Sequence, residues 1–244
     1  MAVRTPRVLN GKYTGSLNET QLDLLEQLRN TDVIPELKNI LNGITLRDFQ
    51  TIGAAFAYFS PNCIIGDDPG LGKTVQYSAY LKILEKKGEL GTFKVKYDSN
   101  GREISRERVI GDAIVDLVND ATDKLERGEE PDYKIEFNKF LFYAGNSSLF
   151  QIYEELKRYT GLAILPVYGD KRSINRILKN HYWEKYDGIV VPHSAISQTL
   201  EFNRFLAQNL YAFKFLGLDE SSIVKNPKSQ RYEIMSELAK HFKR

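Results

Sequence analysis

Four short apolar runs, at 140–144, 163–168, 188–192 and 213–218, are each followed by turn residues and separated by stretches of helical periodicity. They are near-continuous rather than alternating, the pattern of strands buried on both faces of a parallel sheet. Helical patterns at 72–86, 147–159, 171–180 and 227–240 supply the connections between strands. The chain is therefore predicted to be α/β, in three layers, with a mostly parallel sheet. Such sheets bind ligands at the carboxyl ends of their strands.

A chain of 244 residues, 42% hydrophobic and 27% charged, can bury a sizeable core. Its net charge of +2 permits a nucleic-acid partner without arguing for one. The single cysteine, Cys63, excludes an intramolecular disulfide and any cysteine-cluster metal site. No apolar run is long enough to span a membrane, and no secretory signal follows Arg4 and Arg7. The expectation is a soluble intracellular protein of cytoplasm or nucleus.

Leucines and a valine at helical spacing over 17–41 predict two short helices in an N-terminal extension, 1–43, ahead of a main domain, 44–244. Segment 88–138 interrupts the rhythm and reads as an insertion. Asn100-Gly101 within an alternating stretch signals a hairpin, and an amphipathic helix then runs from Ile114 to Leu125 and closes at Gly128.

Residues 62–74 read Asn-Cys-Ile-Ile-Gly-Asp-Asp-Pro-Gly-Leu-Gly-Lys-Thr, an apolar run, a glycine turn and a helix start. A phosphate-binding loop needs that order. Cys63, Ile64 and Ile65 supply a strand, while Gly70 and Gly72 let backbone N–H groups curl toward phosphate oxygens around Asp68, Pro69 and Leu71. Lys73 reaches the phosphates and the Thr74 hydroxyl ligates Mg²⁺. Asp67 stands where the generic pattern has a glycine, so on this evidence alone a chance glycine turn capping a helix is the alternative.

The run at 213–218 ends in Asp219-Glu220. A phosphoryl-transfer site needs such a pair, Asp219 to hold Mg²⁺ and Glu220 to orient and deprotonate a water. The bland alternative is an acidic strand end. Upstream, Arg47 and Gln50 have the spacing of a nucleotide-base clamp, since a glutamine amide offers donor and acceptor together to an adenine edge. An exposed polar helix face is the alternative there.

Leu46-Arg-Asp-Phe-Gln50, Asp67-Asp-Pro-Gly-Leu-Gly-Lys-Thr74 and Asp219-Glu-Ser-Ser-Ile-Val-Lys225-Asn226-Pro-Lys-Ser229 resemble three successive motifs of superfamily-two helicases, and more narrowly of the Swi/Snf-like DNA translocases. The resemblance covers residues 44–244 apart from the insertion, and it accounts for Asp67, because that branch has no glycine there. It implies a first RecA-like ATPase lobe using ATP and Mg²⁺, with Arg47 and Gln50 on adenine, residues 68–74 on phosphates, Thr74 and Asp219 on the metal, and Lys73 and Glu220 catalytic. It also implies nucleic-acid contacts: Asn146, Ser147 and Ser148 at a helix start, Lys171 and Arg172 after the third strand, and His193 after the next. Ser221-Ser222 replaces the family's Ala-His, which puts coupling of hydrolysis to movement in question.

His193-Ser194 is not a nucleophile pair, because adjacent strand residues face opposite ways. Phe150, Tyr153 and Tyr159 are expected to pack their helix on the sheet rather than stack on bases. Cys63 is expected to be a small buried hydrophobe. The family's next strand and second lobe do not follow Arg244, so the expectation is one lobe with weak activity by itself. The leading reading is a DNA-dependent ATPase lobe with duplex DNA as partner. An RNA helicase lobe and a nucleotide-dependent protein-binding module are the alternatives.

Overall fold

Helix α1 (Asp48–Phe59) buries a run of small residues, Gly53, Ala54, Ala55 and Ala57, and that run governs how its unit packs. A Cβ on Gly53 would lie 1.8 Å from Oε1 of the fully buried Gln76 on α2 (Lys73–Lys86), so a larger residue would have to displace that side chain. Leu37, Ile40, Leu41 and Leu46 join Ala54, Ala55, Val75, Ala79 and Ile83 in one apolar cluster, with Tyr159 packed against it.

The computed structural model describes residues 8–9, 12–13, 37–60, 63–66, 70–179, 182–198, 200–220 and 224–242. The chain divides into two compact units, 1–87 with 154–161 and 244, and 88–153 with 162–243. In the first, strands β1 (Val8–Leu9) and β2 (Lys12–Tyr13) pair antiparallel. Of the two helices expected over 17–41, residues 17–36 lie outside the described residues, and 37–41 carries one helical residue, Leu37, before a turn and the isolated bridge Leu41–Ile44. The strand expected at 63–65 is not formed. Ile64 makes one isolated bridge with its side chain 52% exposed, and an apolar run this brief has no neighbouring ladder to bury it.

The second unit is built on one six-stranded sheet. Strands β3 (Gly91–Tyr97) and β4 (Glu103–Val109) form the hairpin predicted at Asn100-Gly101, and Gly101 takes a φ of +76° in its turn. Helix α3 (Asp112–Glu126) follows and closes at Gly128, φ +76°. The hairpin extends the core sheet rather than standing apart from it. Strand β5 (Lys134–Ala144) pairs antiparallel with β3 along 134–138, then parallel with two core strands along its second half.

Helix α4 (Leu149–Thr160) begins in this unit and ends in the first. Strands β6 (Ile164–Pro166), β7 (Gly188–Pro192) and β8 (Phe213–Leu218) complete a parallel core in the order β6-β7-β5-β8. Helix α5 (Lys171–Lys179) joins β6 to β7. After β7 come α6 (Ala195–Gln198) and α7 (Leu200–Asn209), and α8 (Gln230–Ala239) follows β8.

Both faces of β5 are buried, Leu141 and Tyr143 on one side and Phe140 and Phe142 on the other, as the continuous apolar run predicted. Leu141 and Tyr143 pack with Ile174, Phe202, Phe205 and Met235 of α5, α7 and α8. Trp183 stacks on Phe213 at 5.9 Å and meets Phe205 edge-on at 5.6 Å.

Lys139 roots the hairpin. Its side chain is fully buried, and its Nζ donates to Thr92 Oγ1 at 3.1 Å, to the Glu184 carbonyl at 2.9 Å and to the Tyr186 carbonyl. Burial pulls its pKa down to about 8. Arg108 of β4 adds an ion pair to Asp187 at 3.0 Å, ahead of β7.

Candidate functional site

Two groups of predicted residues are each built by their own unit. In the first unit, Gly72 takes the left-handed conformation, φ 78° and ψ 48°, immediately before α2. A side chain there would be strained, and its Cβ would stand 2.7 Å from Gln50 Nε2. Gly70, φ +83°, has nothing within 4 Å of where a Cβ would be, so backbone is open to a ligand. Lys73 and Thr74 occupy the first two positions of α2, the helix end whose dipole favours an anion. Asp68 and Pro69 lie outside the described residues.

Gln50 is 7% exposed and serves both helices. Its Oε1 accepts from the Arg47 backbone N–H at 3.0 Å, closing the first turn of α1, while its Nε2 donates to the Leu71 carbonyl at 3.2 Å. The Gln50 amide thereby holds the glycine loop. Cys63 is half-buried, and burial pushes its thiol pKa up.

In the second unit, β5 aligns two strand ends. Its Tyr143 carbonyl accepts from Asp219 N–H at 2.9 Å, and its Ala144 carbonyl accepts from His193 N–H at 2.8 Å. Asp219 and Glu220 stand at the carboxyl end of β8, with Glu220 at φ +53°, the one positive-φ non-glycine residue among those described. That conformation costs about 1–2 kcal/mol for a side chain of this kind and turns the chain sharply after Asp219.

His193 was expected to line a nucleic-acid track. It is 6% exposed instead, because it follows the central strand β7 into the sheet's end. Burial lowers its pKa, opposed by the backbone of Asp219 and Tyr143 and the carboxylates of Asp219 and Glu220.

Asn146 and Ser147 are exposed and Ser148 is half-buried at the start of α4. The Asn146 carbonyl oxygen accepts from Ser194 N–H at 3.3 Å, which leaves its amide hydrogens for another partner. Arg172 is exposed on the first turn of α5; the Lys171 side chain lies outside the described residues. Phe150 does not pack on the sheet as expected. It is 51% exposed and meets Tyr168, itself 45% exposed. Tyr159 packs instead against the apolar cluster that α1 and α2 form in the first unit. Among the described residues no cluster of three or more His, Cys, Asp or Glu could hold a metal.

A family model of the SNF2-related domain matches residues 21–243. The chain belongs to the SNF2-related family. Membership makes this SNF2-related chain an ATPase-type domain of the Swi/Snf-like helicase group, whose members use a nucleotide with Mg²⁺. DNA excision repair protein ERCC-6-like 2 of Mus musculus is 27% identical over 196 residues, covering 78% of this chain and 11% of that protein. The chain thus spans a small part of that relative's length. The SWI2/SNF2 ATPase core of Sulfolobus solfataricus, solved in complex with dsDNA, shares 17% identity at a TM-score of 0.49 and covers 84% of this chain and 31% of that one. Among the described residues no helix is long and apolar enough to cross a membrane.

Proposed function

We propose that this SNF2-related chain is the first ATPase lobe of a DNA translocase or helicase, coupling ATP hydrolysis to movement on or remodelling of duplex DNA. The observation that carries the reading is the start of α2, where Lys73 and Thr74 follow a left-handed Gly72 and Gln50 pins the loop at Leu71. Open backbone at Gly70 and a dipole end at α2 fit a triphosphate.

In this reading Lys73 neutralises phosphate charge, Thr74 and Asp219 hold Mg²⁺, and Glu220 orients and takes a proton from the attacking water. Arg47 and Gln50 flank the adenine, Gln50 through the amide hydrogen and lone pair left over from its bonds to Leu71 and Arg47. Mg²⁺ would supply charge neutralisation at the transferring phosphoryl group. Family membership supports DNA as the polymer, as does the repair role in the mouse relative's name. A second RecA-like lobe completes the chemistry, and without it residues 1–244 hydrolyse ATP slower by roughly 10³–10⁵.

The test measures nucleotide affinity of residues 1–244 and ATPase of the protein joined to its second lobe, with duplex DNA, RNA or no polymer. Lys73→Ala should abolish nucleotide binding, and Glu220→Gln should preserve binding while stopping turnover. Unchanged affinity in Lys73→Ala ends the phosphate-loop reading, and stimulation by RNA alone replaces DNA with RNA.

A further inference from the structure

Phe150 and Tyr168 place two aromatic rings in solvent where the sheet's strands end. The ring centroids are 4.6 Å apart at 74°, yet the residues remain 51% and 45% exposed. Aromatic residues that pair edge-to-face inside a protein are normally covered. Here each ring steadies the other and keeps much of its surface open.

The surroundings select the occupant. Phe150 lies on the first turn of α4, three residues after the exposed Asn146 and Ser147 pair ends. Asn146 spends its carbonyl oxygen on Ser194, so what it still offers is a pair of N–H donors. Tyr168 follows β6 and leads through Gly169, φ +102°, to exposed Arg172 and Arg176 on α5. Exposed aromatic faces with an amide donor group nearby in sequence, and two exposed arginines on the helix after Tyr168 that outnumber the one intervening carboxylate, Asp170, match a strand of nucleic acid, its bases on the rings and its phosphates on the donors. A paired duplex hides the faces of its bases, so rings of this kind have most to gain from unpaired ones.

We infer that Phe150 and Tyr168 form a stacking platform for unpaired bases of DNA. This rests on the DNA reading above and extends it from duplex backbone to locally opened strand.

The test uses residues 1–244 at low salt and three labelled polymers: oligothymidylate, a base-free deoxyribose-phosphate oligomer of equal length, and a blunt duplex. The wild-type chain should bind oligothymidylate more tightly than the base-free oligomer. The double variant Phe150→Ala, Tyr168→Ala should lose about tenfold in oligothymidylate affinity and erase that preference, with duplex and base-free binding unchanged. Arg172→Ala should weaken all three together, and Tyr168→Phe should restore the preference when Phe150 is retained.

Equal losses on all three polymers, or no loss on oligothymidylate, overturn the inference while leaving the DNA reading intact. Self-association that disappears in the double variant also overturns it, because a second copy would then cover the rings. Failure of the wild-type chain to bind any of the three overturns the inference and the DNA reading together.

Discussion

Gln50 Nε2 donates to the carbonyl of Leu71 at 3.2 Å, so a residue of helix α1 holds the glycine loop that precedes α2. The same amide accepts from Arg47 N–H at 3.0 Å, and the two bonds can be separated by substitution.

Gln50→Glu keeps the acceptor for Arg47 and replaces the donor by a carboxylate facing the Leu71 carbonyl. Nucleotide affinity should fall about tenfold with little change in Tm, whereas Gln50→Ala should lose affinity and about 0.5–1.5 kcal/mol of stability. Titration calorimetry and thermal melts on the two variants check this. Equal affinity in Gln50→Glu and wild type would show that the loop does not need the bond.

Glu220 stores strain at a position assigned to chemistry. Glycine relieves a left-handed backbone, so Glu220→Gly should raise stability by about 1 kcal/mol while eliminating turnover in the two-lobed protein. Chemical denaturation and ATPase assays together test the trade.

Lys139 makes stability depend on pH in a definite direction. Its pKa is about 8 when folded against an ordinary 10.5, so between those values the unfolded chain binds more protons. Stability should therefore rise with pH across that window, by on the order of 3 kcal/mol in total. Below the folded value both states carry the charge, and the full desolvation penalty is present. Lys139→Met should flatten the rise, and should cost about 1–3 kcal/mol near neutral pH by leaving the Glu184 and Tyr186 carbonyls unsatisfied. Urea melts at stepped pH values report both effects.

Gly188 lies under the Phe140 ring, and an added Cβ would stand 2.3 Å from two of its carbons. Because Phe140 is fully buried, the ring has nowhere to move. Gly188→Ala should cost about 1–3 kcal/mol, readable as a lowered denaturation midpoint. The same change at Gly101, where nothing lies within 4 Å, should cost only its turn conformation.

How much of this was legible depended on what each segment had to bury. Strands β7 and β8 fell where their apolar runs predicted, since a strand covered on both faces writes its limits into composition. Helix α7 was not read in advance: its buried face is only Phe202, Phe205 and Leu206, set among polar residues. The first half of β5 fell within the segment read as an insertion, where Lys134, Glu136 and Asn138 alternate with apolar residues and no continuous apolar run marks a core strand. Alternation reports one-sided burial and cannot say which strand supplies the partner. For the site, spacing picked out Lys73, Thr74, Asp219 and Glu220, but it could not show that Gln50 grips Leu71 or that His193 is buried. Those facts depend on which strand ends and helices become neighbours.

The shared strand β5 also bears on how such a domain can be enlarged. A five-residue overhang, 134–138, carries the entire β3–β4 hairpin, with Lys139 at the junction and the Arg108–Asp187 pair as a second tether. The parallel core uses only residues 139–144 of that strand. Accessory pieces can thus be grafted, lengthened or exchanged at the overhang while the carboxyl ends of the parallel strands remain untouched.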